Sequence, residues 1–185
     1  TNFEPTRVPH IFTDVLVIGS GVAGLRAALE AARFAKVLIV TKDEPAESAT
    51  HYAQGGIAAV LTEADSFEAH IEDTLRVGCG LCDVPTVRQV VQEGPALIRE
   101  LLDWGAQMDT VDGHLVYTRE GGHSARRIVH AHGDATGEEL ARTLLRQVKA
   151  NSNIRVFDHC FAIDLIGVNN TCSGIVSHHV KYGPQ

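Results

Sequence analysis

The chain has 185 residues, 44% of them hydrophobic and 21% charged, a composition that predicts roughly one globular domain with a sizeable core. Its 16 Lys and Arg against 23 Asp and Glu leave a net charge of −7, the wrong sign for holding a nucleic-acid backbone. Because no apolar stretch approaches the ~20 residues that span a bilayer, we expect neither a nucleic-acid nor a membrane partner.

A strand, a helix and a second strand are predicted near the N-terminus. Residues 1–10 are polar and show no period, which predicts a loose leader before a domain that runs from residue 11 to residue 185. The apolar runs Val15–Ile18 and Val37–Val40 flank a glycine cluster and a helical stretch rich in Ala and Leu. This order predicts a β-α-β unit of ~30 residues.

The glycine cluster, Gly19–Gly24, matches the pattern Gly-x-Gly-x-x-Gly. In dinucleotide-binding proteins the first glycine permits a tight turn, the second lets the backbone approach a pyrophosphate, and the third packs helix against strand. The alternative is that these glycines merely allow a sharp turn, because the pattern alone is weak in a chain with 17 glycines. Its position between a strand and a helix favours nucleotide binding.

The second strand ends without the acidic residue that usually binds the adenosine ribose. Thr41 and Lys42 stand there instead, and a cation at this point suggests a 2′-phosphate and a nicotinamide phosphate cofactor. The following segment, from Lys42 to Leu61, shows no clear period and is too long for an ordinary connection. Long ordered loops are usually functional, and the small residues of Thr50–Gly56 suit a chain that lies close against a bulky ring.

The rest of the chain predicts further helices, two turns and three strands. One helix starts after Ser66 and ends at Gly78, and another runs from Pro85 to Trp104 with a break at Gly94–Pro95. Asp112-Gly113 and Asn169-Asn170 are typical of hairpin turns. An amphipathic helix follows residue 137, and three strands are predicted over Ile154–Phe157, Phe161–Ile166 and Gly174–Val176.

Four cysteines are too few and too irregularly spaced for a disulfide scaffold, so we expect free thiols. Cys79 and Cys82 have the spacing of a redox or zinc motif, but no second ligand pair accompanies them, and we therefore expect no metal. Arg126 and Arg127 could orient an anion, although paired arginines near a loop are more often solvated.

Five motifs follow one another along the chain: Val17–Leu25, Thr41-Lys42, Tyr52–Ile57, Arg119–Ser124 and Asp134–Gly137. In these motifs and their order the chain resembles one flavoprotein family, the group of L-aspartate oxidase and the flavoprotein subunits of succinate dehydrogenase and fumarate reductase. The resemblance implies an α/β fold, the first part of a Rossmann-like FAD-binding domain with a parallel sheet, helices and a small antiparallel β element. Since family members carry Ser or Thr followed by Lys after the second strand, it also favours FAD over a nicotinamide phosphate.

The resemblance implies that FAD is held by residues of three segments. These residues are Gly19, Ser20, Gly21, Val22, Ala23, Gly24, Thr41, Lys42, Ala49, Thr50, His51, Tyr52, Ala53, Gln54, Gly55 and Gly56. Succinate and fumarate members carry a flavin-linked histidine at the position of Ala49. Because alanine has no nucleophile, we expect non-covalent FAD, and His51 does not occupy the flavin-linked position.

Glu120 stands where the respiratory members have an apolar aromatic residue and the aspartate oxidases have Glu. The resemblance therefore implies oxidation of L-aspartate to iminoaspartate, with oxygen or fumarate as acceptor, as the first step of NAD biosynthesis and with a functional link to quinolinate synthase. Glu120 would orient the substrate ammonium group. Two alternatives are a succinate or fumarate oxidoreductase flavoprotein and a nucleotide-binding module without catalysis.

Length and local sequence set further expectations. Family members continue with a capping domain, a helical domain and a catalytic arginine, so the resemblance implies that this chain is an N-terminal fragment without a catalytic residue of its own. His130 and His132 lie in a segment one residue longer than in the family. Similarity of residues 41–45 and 161–165 to plant forms suggests a plastid if the source is a plant, and otherwise the cytoplasm.

Overall fold

The computed structural model describes residues 8–184. Residues 1–7 of the predicted leader lie outside the described residues, and residues 8–10 belong to no helix or strand. The helices are α1 (Val22–Ala31), α2 (Phe67–Val77), α3 (Val84–Asp103) and α4 (Thr136–Ala150). The strands are β1 (Val15–Ile18), β2 (Val37–Val40), β3 (Ile57–Ala58), β4 (Thr110–Val111), β5 (His114–Leu115), β6 (Ile128–Val129), β7 (Ile154–Phe157), β8 (Cys160–Val168), β9 (Thr171–His179) and β10 (Gly183–Pro184).

The chain divides into two compact units. Unit 1 comprises the described residues up to His51 together with those from Leu144 onwards, and unit 2 is Tyr52–Thr143. Unit 2 therefore lies, in sequence, inside the connection between β2 and β7. A single domain over residues 11–185 stays a prediction. Among residues 8–184, no helix is both long and apolar enough to span a bilayer.

Unit 1 contains the predicted β-α-β unit and confirms the α/β fold. Strands β1, β2 and β7 form a parallel sheet in the order β1-β2-β7, with Val15 opposite Val37 and Val37 opposite Ile154. All four residues of β2 are buried, as expected for a central parallel strand. Leu38 and Val40 form a core cluster with Cys160.

An antiparallel sheet in the order β10-β9-β8 completes unit 1. The predicted turn at Asn169 and Asn170 joins β8 to β9, and both residues have positive φ, +52° and +60°, as a type I′ turn requires. The sequence pattern left open which sheet each of the three C-terminal strands joins. Ile154–Phe157 joins the parallel sheet beside β2, where Ile154 is buried and Val156 and Phe157 are half-buried.

Unit 2 packs helices α2 and α3 with short antiparallel strand pairs, β3 with β6 and β4 with β5. Helix α2 begins as predicted, because the Ser66 hydroxyl caps it by accepting a hydrogen bond from the amide of Ala69 at 3.1 Å. The hairpin at Asp112-Gly113 is also confirmed, with both residues at positive φ.

The predicted break at Gly94–Pro95 is wrong, since α3 continues from Val84 to Asp103 with Pro95 inside it. Proline lacks the amide that would bond four residues back, which costs the helix one hydrogen bond. Val91, Pro95 and Ile98 are all buried on one face of α3. This burial holds the helix together across the proline.

Candidate functional site

The Gly19–Gly24 turn has the backbone geometry that the sequence pattern predicts. Gly19 follows β1 with φ +104°, a conformation that L side chains rarely adopt, and its amide donates to the carbonyl of Val40 at 2.8 Å. A Cβ on Gly24 would lie 2.1 Å from the carbonyl oxygen of Gly19. Only glycine at position 24 lets the helix lie this close to the strand.

Helix α1 begins without a side-chain cap of its own. Gly21 is the N-cap residue and has no side chain, and the first turn carries no acidic residue. Thr50 supplies the missing acceptor, because its Oγ1 accepts a hydrogen bond from the amide of Val22 at 2.9 Å. The positive end of the helix dipole is left free of competing carboxylates, a setting that suits a phosphate group.

Ser20 and Thr41 join the glycine turn to the end of β2. Their hydroxyl groups are 3.0 Å apart, and the two residues are buried. The amide of Thr41 also donates to the carbonyl of Phe157, which extends the β2–β7 pairing. Thr41 therefore holds the glycine turn in place, while Lys42 and Ala49 are exposed.

In unit 2, the segment Tyr52–Gly56 leads into β3. Its first four residues are exposed, and the carbonyl of Ala53 accepts a hydrogen bond from the amide of Gly137 at 2.9 Å. A Cβ on Gly56 would lie 2.4 Å from Ile128 Cγ2 and 2.6 Å from His130 Nε2. Gly56 therefore has to be glycine for this segment to pack against β6.

Residues 119–127 form a loop that is closed at its base. Thr118 and Ile128 exchange two backbone hydrogen bonds, of 2.9 Å and 3.1 Å. Within the loop the amide of His123 donates to the carbonyl of Glu120, and Gly122 has φ +86°. The loop therefore presents Glu120 from a defined turn.

A buried ionic cluster holds this loop against α2. The guanidinium of Arg127 donates two hydrogen bonds to Asp65 and one to Asp73, each of 2.7 Å, and its side chain is 0% exposed. Asp73 also accepts hydrogen bonds of 2.7 Å from the amide and the hydroxyl of Ser124. Arg76 pairs with Asp73 and donates to the carbonyl of Gly122.

The cluster shifts the pKa values of its members. Burial alone would raise the pKa of Asp73, but hydrogen bonds from Ser124 and Arg127 outweigh it and hold that pKa below its ordinary range. The same balance lowers the pKa of Asp65, and hydrogen bonds from Arg127 to Asp65 raise the pKa of the guanidinium. Burial and the nearby charge of Arg127 lower the pKa of His70. All of these shifts favour the ion-paired cluster with a neutral His70 at neutral pH.

Arg127 is therefore neither solvated nor free to orient an anion, the two interpretations open from sequence. Its guanidinium is used by two carboxylates, whereas Arg126 is exposed. The cysteine pair is a separate feature: Cys79 and Cys82 are free thiols. Among residues 8–184, no group of three or more His, Cys, Asp or Glu side chains is placed to hold a metal ion.

The carboxylate of Glu120 is half-exposed and has one side-chain partner within the described part of the chain. Glu120 Oε1 lies 2.9 Å from His130 Nε2, and the side chains are 51% and 17% exposed. About half of the Glu120 side chain is therefore accessible to solvent. A half-exposed anion on an ordered loop can bind a cationic group of a small molecule.

Comparison with known proteins identifies the family of this chain. Residues 14–181 match the family described as FAD binding domain. The chain belongs to this family. The match covers both units.

Several proteins that this chain resembles carry the names of enzymes. The chain is 53% identical over 175 residues to L-aspartate oxidase 2-b, chloroplastic, of Nicotiana tabacum, covering 92% of this chain and 27% of the relative. It is 45% identical over 177 residues to L-aspartate oxidase of Streptomyces coelicolor, covering 94% of this chain and 30% of the relative. A quinol fumarate reductase from E. coli has a similar structure, with a TM-score of 0.86, 34% identity and coverage of 89% and 29%. The chain thus spans about 30% or less of the length of these relatives.

The residues of the FAD-binding domain fit a dinucleotide on structural grounds. A side chain at Gly24 is sterically forbidden, Gly19 has positive φ, and the first turn of α1 contains no acid. A helix N-terminus built this way accepts a pyrophosphate through backbone amides. Several predicted cofactor residues already donate their backbone amides to acceptors within the protein, namely Gly19, Val22, Thr41 and His51.

Sequence patterns did not predict two features of the FAD-binding domain, an ionic cluster and a helix cap. The ionic cluster of Asp65, Asp73 and Arg127 joins residues up to 62 positions apart, and no local pattern marks it. The cap that Thr50 provides to α1 joins residues 28 positions apart. Gly21 was the sequence feature that could have indicated this cap, because a glycine at the N-cap has no side chain to accept a hydrogen bond from the first turn of the helix.

Proposed function

We propose that the protein to which this chain belongs is an FAD-dependent L-aspartate oxidase, which oxidises L-aspartate to iminoaspartate with oxygen or fumarate as acceptor. The structural observation that carries the proposal is the half-exposed Glu120 carboxylate on its anchored loop. Identity of 53% over 92% of the chain to a protein named L-aspartate oxidase supports it.

The roles of this chain's residues follow from charge and shape. Backbone amides of the Gly19–Gly24 turn at the N-terminus of α1 bind the pyrophosphate, apart from those of Gly19 and Val22, which donate within the protein. Glu120 accepts a charge-assisted hydrogen bond from the ammonium group, the group that distinguishes aspartate from succinate. When bound, FAD supplies the hydride acceptor. We assign no proton-transferring residue within this chain.

The attachment of FAD is proposed to be non-covalent, because Ala49 has no nucleophilic atom. Acid precipitation of the complete FAD-loaded protein tests this directly. All of the flavin should then appear in the supernatant. Flavin that stays on the denatured polypeptide would contradict the proposal.

Pathway and compartment extend the same proposal. Iminoaspartate formation would be the first step of NAD biosynthesis, with quinolinate synthase as the functional partner. The relative from tobacco is named as chloroplastic, so we propose a plastid location if the source is a plant and a cytoplasmic one otherwise.

The visible absorbance of the flavin tests the activity. Anaerobic L-aspartate should bleach the complete FAD-loaded protein, and fumarate or oxygen should restore its colour. Bleaching by succinate instead of aspartate would favour a succinate or fumarate oxidoreductase, which the structural similarity to quinol fumarate reductase keeps as the second candidate. Bleaching by neither would favour a binding module without catalysis.

A further inference from the structure

His130 lies directly after β6, between two polar side chains of unit 2. Its Nδ1 is 3.4 Å from the hydroxyl oxygen of Thr118, and its Nε2 is 2.9 Å from Glu120 Oε1. The imidazole is 17% exposed, whereas the Glu120 side chain is 51% exposed. The histidine is therefore the anchored member of the pair, and the glutamate is the member that faces solvent.

The position of the imidazole is restricted further by Gly56. A Cβ at this glycine would lie 2.6 Å from His130 Nε2 and 2.7 Å from the carbonyl oxygen of Val129. The edge of the ring that carries Nε2 thus packs against the bare backbone of Gly56. His130 consequently joins the Tyr52–Gly56 segment to the Glu120 carboxylate through direct contacts.

Hydrogen-bond chemistry assigns the proton of the neutral ring. The Thr118 hydroxyl can donate to Nδ1, which places the ring proton on Nε2 and lets Nε2 donate to Glu120. Glu120 then keeps its negative charge. Because one carboxylate oxygen is held by the imidazole, the glutamate loses rotamer freedom before any ligand binds, which lowers the entropic cost of binding.

We propose that His130 is a positioning residue that holds the Glu120 carboxylate in place for the ammonium group of an amino-acid substrate. The inference rests on the proposed role of Glu120 and deepens it by naming the residue on which that role depends. Its consequence is specificity: loss of the imidazole should weaken a substrate that carries an ammonium group and spare a dicarboxylate that lacks one.

The kinetic test compares three variants of the complete FAD-loaded protein. His130→Ala removes the donor, His130→Gln keeps an N–H donor that can reach the carboxylate, and His114→Ala removes an exposed imidazole elsewhere in unit 2. For His130→Ala we expect the KM for L-aspartate to rise about tenfold, the effect of losing ~1.4 kcal/mol, with little change in kcat. Fumarate reduction, driven by a chemical reductant of the flavin instead of aspartate, and flavin content should stay within about twofold of the unmodified protein.

Recovery of most of the aspartate affinity in His130→Gln, with no effect of His114→Ala, would support the proposal. Equal losses for aspartate and fumarate in His130→Ala would overturn it, because they indicate general structural damage. Unchanged kinetics would also overturn it, because the contact between His130 and Glu120 would then have no role in substrate binding.

Crystal structures of the same variants separate this inference from the proposed function. If the unmodified protein does not oxidise aspartate, the proposed function fails. The positioning role of His130 is then tested by the conformation of the Glu120 side chain in the crystal structures alone. The inference stands if Glu120 keeps one conformation in His130→Gln and loses it in His130→Ala while residues 121–127 stay in place. It is overturned if Glu120 keeps the same conformation in His130→Ala.

Discussion

Ser124 donates two hydrogen bonds to a single oxygen of Asp73, one from its amide and one from its hydroxyl, each 2.7 Å long. The same oxygen accepts a third hydrogen bond from Arg127. Asp73 lies on α2, and Ser124 lies four residues after Glu120, so this contact ties the Glu120 loop to a helix 51 positions earlier in the chain. Stability of the loop therefore depends on one buried carboxylate.

Removal of Arg127 should destabilise the protein strongly. Arg127→Met leaves Asp65 buried without its cation and leaves Asp73 with the exposed Arg76 alone, a change that typically costs about 3–5 kcal/mol. Arg126→Met is the matched control at an exposed neighbour and should change stability by less than about 0.5 kcal/mol. Urea denaturation of both variants measures the difference.

If Arg127→Met does not fold, Arg127→Lys provides a milder variant. Lysine keeps the charge but cannot form the two parallel hydrogen bonds to Asp65, so its stability should lie between those of Arg127→Met and the unmodified protein. Stability of Arg127→Lys equal to that of the unmodified protein would show that the bidentate geometry contributes nothing.

The lowered pKa of Asp73 predicts a specific loss of stability in acid. The ordinary pKa is 3.8, and the folded value lies below it, so the unfolded chain binds a proton first as pH falls. The stabilisation is complete above about pH 5 and is lost as pH falls below 3.8. Asp73→Asn should be less stable at neutral pH, with a smaller further loss between about pH 5 and pH 3.

Melting temperatures across this pH range check the Asp73 prediction. Ser124→Ala removes one of the hydrogen bonds that lower the pKa and should give an intermediate slope. Identical slopes for the unmodified protein and Asp73→Asn would show that Asp73 has the same pKa in the folded and unfolded states.

Replacement of Glu120 should separate aspartate from fumarate. Glu120→Gln keeps the shape and a polar group but removes the charge, so kcat/KM for aspartate should fall by about 10–150-fold, equivalent to ~1.5–3 kcal/mol. Fumarate has no ammonium group, and its reduction should be largely retained. Steady-state kinetics of the complete FAD-loaded protein measures the asymmetry, with aspartate oxidation assayed separately from fumarate reduction by a chemical reductant of the flavin. Equal losses would make Glu120 a structural residue.

Substitution of alanine for two helical glycines should change the stability of the protein in opposite directions. Gly24→Ala places a Cβ 2.1 Å from a backbone oxygen, which should cost about 2 kcal/mol or more and reduce the bound FAD. Gly94→Ala, inside α3, meets only the Cβ of Ala59 at 3.8 Å and should stabilise the protein by about 0.5–1 kcal/mol. Urea denaturation and flavin content check both, and a tolerated alanine at position 24 would contradict the close packing of α1 on β1.

The elements that the sequence predicted correctly depend on neighbours in the chain. The apolar runs of β1 and β2, the Ser66 cap and the Asp112-Gly113 turn are each specified within a few residues, because propensity, capping and turn geometry are local. The predicted break at Pro95 was also a local inference, and it failed because burial of one face of α3 outweighed the lost hydrogen bond.

For the candidate site, the sequence by itself determined which residues have the right chemistry: the Gly-x-Gly-x-x-Gly pattern, Ala49 without a nucleophile, and Glu120 with its charge. Tertiary structure alone decided the partners, since Arg127 meets Asp65 across 62 positions and Thr50 caps α1 across 28. Such pairs form only when packing brings distant segments together. The stability of a buried charge then depends on its partner, because the free energy of an unpaired charge away from water is highly unfavourable.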